Sequence, residues 1–277
     1  MMTQPVNINP LIMGILNVTP DSFYDGGLYC KPQQAYDRAM AMIDEGADII
    51  DIGGESSRPG ATPITVDEEL ERVIPVIQRI RNNCEIDISI DTYKPQVMRA
   101  ALTNGATFVN DIMALRVDGA LSVLSEFHTA KICLMHMQGM PQTMQIQPTY
   151  DRDIIDEIND FFQTRIKACT TAGIARERLI LDPGFGFGKN PQHNLTILQR
   201  LSEFKRHQLP ILLGISQKRS LQKITTNINP TQTSITLAIH AISQGASIIR
   251  THNIQETIKG FYRNCRGDRA APSKCSL

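Results

Sequence analysis

The side chains that could take part in chemistry stand at the ends of eight short runs of apolar residues. Each run carries a polar or charged residue at or just after its end. A single Asp or Ser after a strand is usually the N-cap of the next helix, and a single histidine in such a place is usually packed or marks a hinge to a flexible loop. Polar residues at all eight ends instead indicate one ligand site built from many elements. They are Asn17, Asp51, Asp91, Asn110 with Asp111, His136, Asp182, Ser216 with Lys218, and Arg250 with His252.

These side chains, together with one arginine of a glycine-rich stretch, form two chemical groups. The first group offers carboxylate and amide oxygens, which suit a ligand rich in N–H donors, such as an aminopyrimidine or the edge of a pterin. It consists of Asp51, Asp91, Asn110 and Asp182. The second group offers positive charge for an anion. It consists of Arg58, Lys218, Arg250 and His252. Together the two groups predict a nitrogen heterocycle that carries a phosphate.

The stretch DPGFGFGK, at 182–189, has the composition of a phosphate loop but not its spacing. A P-loop requires glycine five residues before its Gly-Lys pair and Ser or Thr after the lysine. This sequence has Pro183 and Asn190 at those two places. The dinucleotide fingerprint fails as well, because one residue instead of two separates the last two glycines. Lys189 is therefore predicted to be solvated rather than to bind a nucleotide.

The apolar runs alternate with helical patterns along the chain. Runs that are apolar on both faces are typical of parallel strands buried under helices. They cover 11–18, 48–54, 87–92, 107–112, 131–137, 179–184, 210–216 and 247–252. The clearest helical pattern covers 151–172, which opens on acidic residues and stops before Gly173. Gly-Ala pairs at 46–47, 105–106 and 245–246 lead from helices into strands.

Eight strands that alternate with eight helices predict an α/β protein with the (β/α)8 TIM barrel fold, in a single domain. A doubly wound open sheet is the alternative. The barrel is expected over 1–267, and 268–277 is expected to be a flexible tail. In such barrels the carboxyl ends of the strands meet at one face, which would bring the polar residues together.

Composition excludes several classes of protein. The 28 basic and 28 acidic residues balance, which argues against a nucleic-acid partner or a membrane surface as a partner. The N-terminal residues lack the basic and apolar segments of a signal peptide, and no apolar run approaches the roughly 20 residues of a membrane span. The six cysteines form no Cys-x-x-Cys pair and are expected to be reduced thiols. These observations predict a soluble cytoplasmic protein.

Seven stretches of the sequence resemble the motifs of dihydropteroate synthases, which are TIM-barrel enzymes of folate biosynthesis. The first two are highly specific, and the matches run in order over nearly the whole chain. They are NVTPDSFYDGG (17–27), DIGGESSRPGA (51–61), SIDTYKP (89–95), NDI (110–112), MHMQGMPQTMQ (135–145), LDPGFGFGK (181–189) and IRTH (249–252).

The resemblance implies a reaction and a role for each site residue. The family joins 4-aminobenzoate to 6-hydroxymethyl-7,8-dihydropterin diphosphate and forms 7,8-dihydropteroate and diphosphate. The implied pterin-binding residues are Asp51, Asp91, Asn110, Asp182 and Lys218. The implied diphosphate-binding residues are Asn17, Ser57, Arg58, Arg250 and His252. The implied aminobenzoate-binding residues are Phe23, Asp25, Pro59, Phe187 and Ser216. The implied catalytic residues are Asp91, Asp182, Lys218, Arg250 and His252.

The resemblance further implies a Mg²⁺ cofactor that Asn17 binds together with the diphosphate, and a homodimer. The sequence departs from the family pattern at four positions, which are Tyr24, Ser57, Gln217 and Asn253. Gln217 replaces an arginine beside the aminobenzoate site. Two other functions remain open: a non-catalytic pterin-binding paralogue, which Gln217 supports, and a methyltetrahydrofolate-binding methyltransferase domain.

Overall fold

Eight parallel strands form one sheet that curves into a nearly closed barrel in the computed structural model of the protein. The structure describes residues 10–19, 31–56, 60–141, 143–215 and 230–265. The strands are β1 (Leu11–Asn17), β2 (Ile49–Gly53), β3 (Asp87–Asp91), β4 (Phe108–Asp111), β5 (Lys131–Met135), β6 (Leu179–Asp182), β7 (Leu212–Gly214) and β8 (Ile248–Thr251). Their order in the sheet is β6-β5-β4-β3-β2-β1-β8-β7.

The two ends of this sheet come together at β6 and β7. Leu181 forms a parallel bridge with Ile211, and its N–H donates to the carbonyl of Pro210 at 2.9 Å. All seven strand pairings in the described residues are parallel. The predicted TIM barrel is therefore confirmed, and the alternative of an open sheet is wrong.

In the described part of the chain a helix follows each strand. The helices are α1 (Lys31–Asp44), α2 (Val66–Arg81), α3 (Pro95–Thr103), α4 (Ala120–Glu126), α5 (Ile154–Thr171), α6 (Pro191–Gln199), α7 (Pro230–Gln244) and α8 (Ile254–Cys265). The pattern at 151–172 is α5, which follows the cap residue Asp153 and ends before Gly173, whose φ is +83°. No helix among the described residues is both long enough and apolar enough to cross a membrane.

The inside of the barrel is filled by one apolar layer below the strand ends. Seven strands contribute one side chain each, and the layer consists of Met13, Ile49, Phe108, Cys133, Ile180, Leu212 and Ile248. The opposite faces of the strands pack against the helices in a second, larger core. Because both faces of every strand are covered, the strands appear in the sequence as continuous apolar runs.

Candidate active site

Four of the predicted site residues lie directly above this apolar layer because side chains along a strand alternate between its two faces. Asp51 stands two residues after Ile49, and Arg250 stands two residues after Ile248. Asn110 and Asp182 stand two residues after Phe108 and Ile180 in the same way. The strands thus direct these polar side chains into one space at the carboxyl end of the barrel. Asp111 belongs to the other face, where its carboxylate accepts the N–H groups of Met113 and Leu115 at 2.7 Å each.

Arg250 connects two carboxylates in this space. Its Nε donates to Asp51 Oδ2 at 2.5 Å, and its Nη2 donates to Asp91 Oδ2 at 2.6 Å. Asn110 Nδ2 donates to the same oxygen of Asp51 at 3.1 Å. The other oxygen of Asp51, Oδ1, is buried and has no hydrogen-bond partner in the described part of the chain. The cluster therefore keeps acceptor capacity that a ligand N–H group can use.

Burial changes the protonation of this cluster. Burial raises the pKa of Asp91 to about 7 although Arg250 opposes the change, and the charges of Asp51 and Glu69 raise that pKa further. Burial alone would lower the pKa of Arg250, but Asp51 and Asp91 raise it overall. The guanidinium consequently stays charged, while Asp91 exchanges its proton near neutral pH.

Asn17, the predicted Mg²⁺ ligand, ends β1 beside this cluster. A Cβ atom placed on Gly53 would lie 3.7 Å from Asp91 Oδ2 and 3.8 Å from Asn17 Oδ1. Both oxygens therefore lie close to Gly53 at the end of β2. The described residues contain no group of three His, Cys, Asp or Glu side chains that could hold a metal ion. Mg²⁺ commonly takes one or two protein oxygens together with phosphate oxygens and water. An amide oxygen beside the pocket fits an ion that arrives with a diphosphate.

Asp182 lies at the start of a tight turn after β6. Its Oδ1 accepts the N–H of Gly184 at 2.7 Å, and its carbonyl accepts the N–H of His136 at 2.8 Å. Gly184 has φ +68°, and a Cβ there would lie 1.9 Å from the carbonyl oxygen of His136. The glycine therefore permits close contact between the ends of β5 and β6. Asp182 is not a helix cap, because Asn190 caps α6.

Lys189 is buried, so the prediction that it is solvated is wrong. Its Nζ lies 3.0 Å from His136 Nδ1 and donates to the carbonyls of His136 at 3.2 Å and Phe187 at 2.9 Å. Burial lowers the pKa of His136 well below its usual range, and Lys189 lowers it further. The imidazole is therefore held in its neutral form, and it packs edge-on against Phe161, as predicted for a packed histidine.

The other predicted site residues fall into two sets. Among those described, His252 follows β8 and is half-buried, and Phe187 is half-buried against an apolar cluster at the carboxyl ends of β4 and β5. That cluster consists of Ile112, Met135, Met137 and Met144. Seven predicted site residues lie outside the described residues: Phe23, Asp25, Ser57, Arg58, Pro59, Ser216 and Lys218. Of the four departures from the family pattern, only Asn253 is described, because Tyr24, Ser57 and Gln217 also lie outside the described residues.

Known proteins resemble this chain along nearly its whole length. The sequence profile of a family described as pterin binding enzyme matches residues 13–252. A dihydropteroate synthase of Escherichia coli is 49% identical over 256 residues, which cover 91% of this chain and 90% of the relative. A structure of Yersinia pestis dihydropteroate synthase with a sulfonamide drug has a TM-score of 0.84 and 45% identity, covering 91% and 92% of the two chains. A structure of the Xanthomonas albilineans enzyme with 4-aminobenzoic acid has a TM-score of 0.86 and 41% identity, covering 94% of each chain.

Proposed function

The chain belongs to the pterin-binding enzyme family and matches dihydropteroate synthases over nearly its whole length. We propose that the cluster around Arg250 is its pterin pocket. The enzyme is a transferase of folate biosynthesis that joins a dihydropterin diphosphate to 4-aminobenzoate. One observation carries the proposal. In the described barrel Arg250 donates to Asp51 and Asp91, Asn110 donates to Asp51, and the second oxygen of Asp51 is left for a ligand donor.

The carboxylates serve both binding and catalysis. A pterin presents several N–H donors along one edge, and Asp51, Asp91 and Asp182 supply anionic acceptors on three different strands. In the reaction the bond between the exocyclic carbon of the pterin and a diphosphate oxygen breaks, and the electron pair leaves with diphosphate. Positive charge then develops on the pterin, where the carboxylates stabilise it. The arylamine nitrogen afterwards forms the new bond to that carbon and loses a proton.

Other residues bind the leaving group. Arg250 and His252 follow one another at alternate positions at the end of β8, so both can face the anion. Ser57 and Arg58 are expected to join them by resemblance. Asn17 would hold Mg²⁺, which neutralises charge on the departing diphosphate when it is bound. Phe187, and by resemblance Phe23, Asp25, Pro59 and Ser216, would line the aminobenzoate site.

An assay of diphosphate release tests the proposed function. Release should require both the pterin diphosphate and 4-aminobenzoate, and it should stop when either is omitted. Arg99→Met is a suitable control variant because Arg99 forms an exposed ion pair with Glu126 on the outside of the barrel. A non-catalytic paralogue would bind pterin without releasing diphosphate, and a methyltransferase domain would bind methyltetrahydrofolate. The synthases that resemble the whole chain do not favour either alternative.

Two further properties are proposed from the relatives and two from the family resemblance. The Xanthomonas albilineans structure contains 4-aminobenzoic acid, which supports that compound as the second substrate here. The Yersinia pestis structure contains a sulfonamide drug, so we expect sulfonamides to compete for the same site. A homodimer and a cytoplasmic location are proposed from the resemblance, and gel filtration with light scattering would test the dimer.

A further inference from the structure

The residues at 183–188, which we call the glycine turn, are held in place by side chains from other parts of the chain. They belong to no helix or strand, so their backbone groups need other hydrogen-bond partners. Gln145 Nε2 donates to the carbonyl of Gly186 at 2.7 Å, and the hydroxyl of Tyr150 donates to the carbonyl of Gly188 at 2.8 Å. The shape of the glycine turn therefore depends on these side chains rather than on a regular backbone pattern.

Lys189 is a buried donor to this turn. Its Nζ donates to the carbonyl of Phe187, inside the glycine turn, at 2.9 Å and to the carbonyl of His136, which follows β5, at 3.2 Å. Only 2% of Lys189 is exposed, so water does not compete for these contacts. The lysine thus ties the glycine turn to the chain that follows β5.

Each of these contacts lies a few hydrogen bonds from Asp182. The N–H of Phe187 donates to the carbonyl of Gly184 at 3.0 Å, and the N–H of Gly184 donates to Asp182 Oδ1 at 2.7 Å. The N–H of His136 donates to the backbone carbonyl of Asp182 at 2.8 Å. A carboxylate is planar, so a bond that fixes Oδ1 also sets the direction of Oδ2. The contacts of Lys189 are consequently linked to the orientation of the Asp182 carboxylate.

We propose that Lys189 is a positioning residue, which acts through the glycine turn to hold the Asp182 carboxylate ready for an N–H group of the pterin. This inference rests on the proposed function. Asp182 stands two residues after Ile180 and points into the same space as Arg250, whose pKa its charge raises. A hydrogen bond weakens steeply when its acceptor is out of line. An acceptor that is oriented in advance avoids the cost of ordering it when the ligand binds.

A double-mutant cycle separates this positioning role from a structural one. Isothermal titration with 6-hydroxymethylpterin would compare Lys189→Met in the wild-type protein and in Asp182→Asn. The substitution should reduce the affinity about tenfold in the wild-type background. It should reduce the affinity by no more than about twofold in Asp182→Asn, because the charged acceptor that the lysine positions is already gone. The melting temperature should fall by the same amount in both backgrounds.

Arg178→Met is the matched control. Arg178 is a buried cation at the opposite end of the same two strands, where its Nε donates to the carbonyl of Ala130 at 2.8 Å and its Nη2 to that of Leu124 at 3.0 Å. This variant should melt at a lowered temperature, as Lys189→Met should, yet keep the wild-type affinity for the pterin. A loss of pterin affinity in Arg178→Met equal to that in Lys189→Met would overturn the proposal.

Tyr150→Phe keeps the proposal testable if Lys189→Met does not fold. It removes one hydroxyl from the glycine turn and should reduce pterin affinity about two- to threefold in the wild-type background and not in Asp182→Asn. An unchanged affinity in the wild-type background, or equal losses in both backgrounds, would overturn the positioning role alone. A wild-type protein that binds no pterin would instead refute the proposed function, and this proposal with it.

Discussion

Replacing Asp91 with asparagine should weaken pterin binding and stabilise the folded protein at the same time. The structure separates the two effects. Asp91 is 13% exposed, and burial raises its pKa from 3.8 to about 7 in spite of the ion pair with Arg250. Relative to the unfolded chain, the folded protein therefore disfavours the charged form of this side chain, and the amide introduced by Asp91→Asn is neutral at every pH. Arg250 keeps its second carboxylate partner, Asp51, in the variant.

The size of the stability change depends on pH. Between pH 3.8 and about 7 the folded protein holds the Asp91 proton while the unfolded chain has lost it, so wild-type stability falls as pH rises. Above this window the wild type has lost the full amount of stability, and the upper limit of this loss is roughly 4 kcal/mol at about 1.4 kcal/mol for each pKa unit. Asparagine imitates a protonated carboxyl group imperfectly, so we expect about 1–2 kcal/mol, or a Tm rise of roughly 2–6 °C.

Melting curves and calorimetry measure both effects on the same samples. At pH 8 the Asp91→Asn variant should melt above the wild type, and near pH 4 the two proteins should melt together. Its affinity for 6-hydroxymethylpterin should fall by about 10- to 150-fold, because a charged hydrogen bond worth roughly 1.5–3 kcal/mol is lost. Asp182→Asn is the comparison variant. It should lose pterin affinity for the same reason without the gain in melting temperature, since its amide oxygen can still accept the N–H of Gly184.

Two results would refute this reasoning. A variant that melts below the wild type at pH 8 would show that the Arg250 ion pair outweighs burial. An unchanged affinity for pterin would show that Asp91 is not part of the pterin pocket.

Three other experiments test separate parts of the site. EDTA should abolish turnover and Mg²⁺ should restore it, and Asn17→Ala should raise the Mg²⁺ concentration required for half-maximal activity; full activity of the wild type without metal would exclude this role. Lys189→Met should lower stability by about 1–3 kcal/mol, because the buried carbonyls of His136 and Phe187 lose a charged donor; an unchanged denaturant midpoint would contradict it. Gln217→Arg should lower the KM for 4-aminobenzoate up to about fivefold at low ionic strength with kcat nearly unchanged, and a changed affinity for pterin instead would show that this residue acts on the other ligand.

The fold could be predicted from sequence because its strands are buried on both faces. Each apolar run corresponds to an observed strand, and the boundaries differ by no more than about two residues, as is usual at the ends of elements. The closure of the barrel between β6 and β7 could not be predicted from the sequence in the same way. It depends on a single bridge from Leu181 to Ile211 rather than on a local pattern.

The positions of the polar residues at the strand ends could be predicted, but their contacts could not. The end of an apolar run is a local property of the sequence, which is why Asp51 and Arg250 are predicted to lie at the carboxyl end of the barrel. Their hydrogen bond joins residues 199 positions apart, and no local pattern specifies it. Lys189 was assigned wrongly for a related reason. A lysine after glycines is normally solvated, and its burial depends on the approach of His136 from another strand.

The layer of side chains around Arg250 is charged, whereas the layer below it inside the barrel is apolar. Asp51, Asp91 and Asp182 contribute three carboxyl groups around Arg250, and each of them raises the pKa of that arginine. Buried ion pairs commonly give no more stability than apolar side chains of similar size, so stability alone does not account for this cluster. An excess of carboxylates instead agrees with the proposed function, because a departing diphosphate leaves positive charge on the pterin. The strand positions at which polar residues replace apolar ones are therefore the positions at which we propose that the reaction takes place.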